Sequence, residues 1–453
     1  MTAPLGTPRV ASSPGCAQYP PAASDTLGTT KAPRNAWRRN SAYGLLAAPL
    51  AMAALPLFVQ LPAYYATHAG VPLAALGWVL FAARLIDMLQ DPVLGHLIDR
   101  AGKYCNRWMI AAAVLLALAF AGLWLPPHGP VLAAYWLGIL LVLAYGAHST
   151  LQISYLAWGA RLPEAGLGAV AWREGVGLAG GIAASVLPTY LLSAPPQEVA
   201  GRLTAYSASF GLLLGASLAC MLRAAPRARE QSTPAVPSVQ VPQWRSSWHA
   251  LRANRPLRAL IPAYLMNALS VSIPATLALF FINDRLHAAT MAGSFLACYF
   301  GAAALGLPAW TALARRVGAL RAWRFGMLLS VAGFATAAML GKGDSPAYFA
   351  LCLIAGVALG ADLALPPVLL AQNLGTLPAA GAAFGIFTLI GKLALALSGL
   401  TLPVLAMLGY QPGRDSGPAL SIVYAGLPCL LKLGALVALP RPHCHHAVTE
   451  PSA

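Results

Sequence analysis

The sequence predicts an all-α membrane protein: twelve transmembrane helices in two six-helix, pseudo-symmetric halves. Three observations predict this. Of 453 residues, 58% are hydrophobic and only 9% charged, where soluble domains carry about 25% charge. Twelve apolar windows reach the roughly 20 residues a helix needs to cross a bilayer. A polar stretch from Arg223 to Arg258 separates the sixth window from the seventh.

In chain order the windows are 42–67, 73–98, 107–126, 130–158, 168–193, 203–223, 258–283, 289–313, 320–341, 346–371, 380–409 and 418–440. The second is apolar except for Arg84, Asp87 and Asp91. The fifth holds Gly175, Gly177 and Gly180, small residues that allow close helix packing. The tenth contains Asp362, the eleventh Lys392 and the twelfth Lys432. The chain thus divides into a polar N-terminal tail (1–41), expected to be disordered, a first half (42–224), a linker (225–257), a second half (258–440) and a short tail (441–453). The first 40 residues, rich in Pro, Ala, Ser and Thr, lack the apolar core of a signal peptide.

The net charge is +16. In a soluble protein this would suggest nucleic acid, but here it reports topology. Of the 29 Lys and Arg, only Arg202, Arg285, Lys342 and Arg414 fall on one side of the spans, and Arg84, Lys392 and Lys432 fall within them. All others share the side of the two termini. Positive loops stay cytoplasmic, so both termini are expected inside, in a multi-pass protein of a bacterial inner membrane. Membrane lipid and a small-molecule substrate are the expected partners, without nucleic acid, and the chain is expected to act as a monomer. The seven cysteines form no CxxC pair, which indicates neither a zinc site nor a disulfide framework. His443-Cys444-His445-His446 reads as a solvated tail.

An internal repeat supports the halving. A shift of 216 residues aligns Gly77 with Gly293, Pro92 with Pro308, Arg100 with Arg316 and Gly102 with Gly318. The same shift sets Ala303 against Asp87 and Leu307 against Asp91. The carboxylates therefore belong to the first half alone, which argues for a function beyond what the fold demands. Spaced by four, they share one helix face, with Arg84 a turn before. Ionised groups within a bilayer are costly and usually face a water-filled cavity or an ion path. A static role is the alternative: an Arg84–Asp87 pair, and a kink at Pro92. Asp362 is open to both readings, pathway or buried and hydrogen-bonded.

After the second window the chain reads Gly95-His-Leu97-Ile-Asp99-Arg100-Ala-Gly102-Lys103. This resembles GxLxDRxGRK, the loop signature of the major facilitator superfamily. Arg84-Leu-Ile-Asp87-Met-Leu-Gln90-Asp91-Pro92 resembles the RxWDAxxDP stretch of the glycoside–pentoside–hexuronide:cation symporter family, to which melibiose permease belongs. Tyr43-Gly44, Tyr64-Tyr65, Arg173, the run from Gly360 to Pro367, and Lys392 agree in register. The resemblance implies the major facilitator fold. It implies a cation site, for H⁺ or Na⁺, at Asp87, Asp91, Gln90, Ser149 and Lys392. It also implies a gate-side network at Gly95, Asp99, Arg100, Gly102 and Arg316, and no cofactor beyond the coupling ion.

The departures concern the cargo. Where the family places sugar-gripping acids on helices one and four, this chain has Ala51 and Gln152. The aromatic platform position reads Leu156, flanked by Tyr155 and Trp158, and the acidic stretch after helix ten reads Ala371-Gln372-Asn373-Leu374. Arg173, Gln152, Tyr155 and Trp158 are the expected substrate-facing residues. No metal site is expected beyond a Na⁺ at Asp87 and Asp91.

The expected function is cation-coupled symport of a sugar, glycoside or related small solute by alternating access. The alternative is a facilitator or proton-coupled carrier of a non-sugar metabolite. A non-transporting sensor on the same scaffold would be expected to carry a long soluble signalling domain. Enzymatic activity is not indicated. The GxGxxG match at Gly175 follows no strand, and Gly385 to Lys392 has one residue too many for a phosphate-binding loop and no Ser or Thr after the lysine.

Overall fold

The computed structural model describes residues 36–101, 104–160, 167–192, 195–224, 255–374, 380–413 and 418–439. They form twelve long helices: α1 (Arg38–Thr67), α2 (Leu73–Ala101), α3 (Cys105–Leu123), α4 (Pro130–Ala160), α5 (Leu167–Leu192), α6 (Pro196–Ala224), α7 (Arg255–Phe280), α8 (Ala292–Val317), α9 (Ala319–Ala337), α10 (Ser345–Leu374), α11 (Ala380–Ser398) and α12 (Pro418–Ala438). Eleven are long and apolar enough to cross a membrane. The twelfth is α9, whose first two turns hold Arg321 and Arg324. Those charges dilute its apolar character, but it packs against α8, α10 and α12 like its neighbours.

Large apolar side chains face outward along the helices. Leu89 on α2, Leu212 on α6 and Leu305 on α8 are more than 60% exposed. Surfaces of this kind, spread over nearly every helix, suit lipid and not water. The molecule is an integral, multi-pass membrane protein.

Prolines and glycines interrupt several helices, and the interruptions are used. In α1 a π-helical turn runs Pro56–Gln60. Pro62 follows it and has no N–H, so the carbonyl of Phe58, one turn earlier, lacks its helical partner. In α11 the N–H of Gly399 bonds to Ala396 and not to Leu395, which frees the Leu395 carbonyl. The chain then resumes as the short helix Thr401–Met407. Similar π turns close α7 (Phe281–Arg285) and open α12 (Ile422–Gly426).

The two halves meet along three helix pairs, α2 with α11, α5 with α8, and α1 with α7. Two of these contacts depend on glycine. A Cβ at Gly77 of α2 would lie 2.2 Å from Cδ of Pro403 and 2.7 Å from the Gly399 carbonyl oxygen. A Cβ at Gly293 of α8 would lie 3.3 Å from Cα of Val186 on α5. These glycines are the pair related by the internal repeat. Each allows the backbones to close at the end of the molecule away from the chain termini.

Candidate functional site

The ion cluster forms where α2, α4 and α11 converge. A four-residue spacing aims Asp87 and Asp91 the same way, toward α11. Lys392, near the middle of α11, places Nζ 2.9 Å from Oδ2 of Asp87 and 2.5 Å from Oδ2 of Asp91. Ser149 of α4 donates from Oγ to Oδ1 of Asp87 (3.2 Å) and accepts from Lys392 Nζ (3.3 Å). Four of the five residues of the implied cation site thus touch one another. The fifth, Gln90, lies against α4 at Gly146, where a Cβ would stand 3.1 Å from its Oε1.

The cluster is not saturated. Oδ1 of Asp91 and Nε2 of Gln90 are buried without a hydrogen-bond partner. Buried polar atoms are normally satisfied, and orphans mark places for water or an ion. Two carboxylates against one ammonium also leave a formal charge of −1 among these side chains. An added monovalent cation would neutralise it, and the oxygens of Asp87, Asp91, Ser149 and Gln90 are hard donors suited to Na⁺ or a proton.

Arg84 does not pair with Asp87. It is 2% exposed and turns to the two carbonyls freed by the helix breaks. Nη1 donates to Leu395 (2.8 Å) and to Oγ of Ser398 (3.2 Å), and Nη2 to Phe58 (3.4 Å). The guanidinium also lies 5.5 Å from the centre of the Phe58 ring. Ser398 in turn shares a hydrogen bond with Thr276 of α7 (3.0 Å). Arg84 therefore ties α2 of the first half to α11 of the second.

Next to the cluster lies a cavity of about 480 Å³ between the halves. Its wall includes Ala51 of α1, Gln152 and Tyr155 of α4 and Arg173 of α5, and on the other side Phe300, Ala303 and Leu307 of α8. Gln152, Tyr155 and Arg173 lie in the parts of α4 and α5 nearer the chain termini, and Ala51, Phe300, Ala303 and Leu307 lie toward the middle of α1 and α8, below the glycine-closed end. Of the expected substrate-facing residues, Gln152, Tyr155 and Arg173 line it. Trp158 does not, and packs instead against the main apolar core. Tyr155 exchanges hydrogen bonds with the Tyr43 backbone and side chain (3.1 and 3.3 Å). Arg173 pairs with the neighbouring Glu174 at 2.6 Å.

The remaining positions are simply located. Gly95 is half-buried in α2, Arg100 and Arg316 are exposed at the ends of α2 and α8, and Asp99 lies in the last turn of α2. Gly102 lies outside the described residues, as do most of the linker and both tails. Gln372 is exposed near the end of α10. Asp362 is buried. Its carboxylate takes the ammonium of Lys432 and a hydrogen bond from Nε1 of Trp323 (2.9 Å), while Lys432 also donates to Oδ1 of Asn267 (3.0 Å). All four residues belong to the second half, and none lines the cavity. Sequence reasoning had passed over Arg84 as a link between halves, Lys432 as the partner of Asp362, and His148 in the cavity wall. Arg84 and Lys432 stand out in the sequence as charges within apolar spans, but their partners do not; His148 carries no such signal.

The chain's likeness to known proteins agrees with this architecture. A 63-residue stretch is 36% identical to an uncharacterized symporter of Synechocystis sp., covering 13% of this chain and 12% of that protein. Among solved structures, the nucleoside transporter NupG superposes with a TM-score of 0.69 at 14% identity, over 90% of this chain and 100% of that one. A D-xylose–proton symporter superposes with a TM-score of 0.67 at 13% identity, over 89% and 98%. Both are membrane transporters, and at this identity they show the shared fold. The family model for MFS/sugar transport proteins matches residues 41–441. With its twelve helices, its paired halves and the cavity between them, the chain belongs to the MFS/sugar transport protein family of the major facilitator superfamily.

Proposed function

We propose that this transporter performs cation-coupled symport, with H⁺ or Na⁺ driving uptake of a sugar or related small solute by alternating access. One observation carries the reading: a lysine from the second half occupies the carboxylates of the first, beside orphaned oxygen and amide atoms. A bound cation competes with Lys392 for Asp87 and Asp91. Displacing the ammonium loosens α11 from α2 and changes the balance between states open to either side. With both termini cytoplasmic, the cavity faces inward and the glycine contacts seal the outside. The named functions of a symporter relative and a xylose–proton symporter neighbour favour the same class.

A second reading has its own support. Ala51 and Gln152, at positions where an acid would grip a sugar, both face the cavity. A proton-coupled carrier or facilitator for a non-sugar metabolite follows if the cargo needs no acidic grip. Uptake of candidate sugars and nucleosides into proteoliposomes distinguishes these. Symport predicts accumulation above equilibrium when a Na⁺ or proton gradient is imposed, and its collapse when that gradient is dissipated. Equilibration alone, with either ion, identifies a facilitator.

A further inference from the structure

His148 stands between the ion cluster and the cavity. It precedes Ser149 in α4 and lies one helical turn before Gln152, so it shares the cavity face with Gln152. It lines the cavity, and its chain neighbour Ser149 bonds both Asp87 and Lys392. Nε2 lies 3.1 Å from the carbonyl oxygen of Leu50 on α1. A carbonyl can only accept, so Nε2 carries the proton, and in the neutral ring Nδ1 is left as a lone-pair acceptor. Among the described residues no hydrogen bond is made at Nδ1, and the residue it belongs to lines the cavity.

The rest of the wall sharpens what this acceptor is for. Arg173 can only donate and is engaged by Glu174, the carboxylate of the same wall, whose Oε1 accepts from both its Nε and Nη2. The Tyr155 hydroxyl proton is committed to the Tyr43 carbonyl. Gln152 is the other neutral group able to bond in either sense. The facing wall, with Phe300, Ala303, Ala304, Leu307 and Leu363 of α8 and α10, is wholly apolar. A polar strip thus faces a hydrocarbon surface across one cavity.

We propose that His148 is a specificity-determining residue whose Nδ1 accepts a hydrogen bond from a hydroxyl of an uncharged, amphipathic cargo, with the cargo's apolar portion lying against α8 and α10. Glycosides with an aryl or short alkyl group have this chemistry. The inference rests on the reading of the cavity as the cargo site. It goes further by fixing the direction of one hydrogen bond and the polarity of the two ends.

The test is binding to the purified protein by calorimetry, with no ion gradient. The probes are 4-nitrophenyl hexopyranosides, in both anomers and the gluco and galacto configurations, and their per-O-methylated counterparts, which accept hydrogen bonds but donate none. At least one hydroxylated probe should bind more tightly than its methylated counterpart. His148→Gln keeps an N–H near the Nε2 position but loses the acceptor at Nδ1. It should weaken the hydroxylated probe about three- to tenfold, the value of one neutral hydrogen bond, and leave the methylated one unchanged. His148→Asn, with its amide near the Nδ1 position, should recover part of the loss. Equal weakening of both probes, no weakening, or no binding of any probe to the wild-type protein overturns the proposal. The wild-type comparison needs no variant to fold. Binding with this preference but without gradient-driven accumulation refutes symport and leaves His148 its role.

Discussion

The ammonium of Lys392 meets the carboxylate of Asp87 at 2.9 Å, across 305 residues of chain and across the boundary between the two halves. In the proposed mechanism this contact gives the cation site a second task. Whatever occupies the carboxylates also governs one of the ties between α2 and α11, beside the one that Arg84 makes. Ion binding and conformational change would then share one set of atoms, which is what coupling requires.

Asp91→Asn removes one of the two charges that hold Lys392 and would hold a cation. It should abolish ion-driven accumulation while the protein remains in the membrane at near-normal amount. Asp87→Asn should lower the apparent cation affinity, because Ser149 and Lys392 keep a neutral partner there. Uptake measured against ion concentration in vesicles checks both. Wild-type accumulation in the Asp91 variant would remove the cation site from these residues.

Lys392→Met leaves two carboxylates facing each other without their counter-charge, a situation in which like charges resist joint ionisation. The unfolding temperature should drop in sodium-free buffer and recover substantially when Na⁺ is added, if Na⁺ is the coupling ion. If the ion is H⁺, lowering the pH should produce the recovery instead. Thermal unfolding in the two buffers reads the difference. An equal loss under all conditions would mean that the lysine is a structural tie only.

Gly77→Val asks whether the glycine contact is a gate. A side chain there meets Pro403 and the Gly399 carbonyl with no room to spare. The variant should fold but fail to close at the end away from the termini. Transport should fall at least tenfold, and a cysteine placed in the cavity wall should react faster with a membrane-impermeant thiol reagent from outside. Unchanged labelling would show that the α2–α11 contact does not gate.

Asp362 and Lys432 form a fully satisfied, buried network confined to the second half. Breaking such a pair from one side leaves an uncompensated charge and costs about 3–5 kcal/mol. Asp362→Asn and Lys432→Gln should each destabilise the protein by that order. The double variant, which keeps neutral hydrogen-bond partners, should be less destabilised than either. Its ion dependence of transport should match wild type. Denaturant unfolding and ion titration of uptake are the measurements, and a shifted ion dependence would place Asp362 on the pathway.

Composition and window length alone determined that this chain is a helical membrane protein with a twelve-helix pattern. Apolar runs of bilayer length have few other stable folds, because every backbone polar group must be satisfied within the helix. The repeat was also legible, through glycines and prolines whose backbone constraints survive as letters. Asp87 and Asp91 stood out because charge is rare at that depth. What they touch was not legible. Lys392 comes from a helix 305 residues away, and only the packing of the halves settles that it meets both acids. The same holds for Arg84. Sequence spacing offered Asp87 one turn away, but the tertiary structure supplied the carbonyls of Leu395 and Phe58 instead. His148 had no sequence signal at all, since a histidine on a helix face acquires meaning only from what the opposite wall lacks.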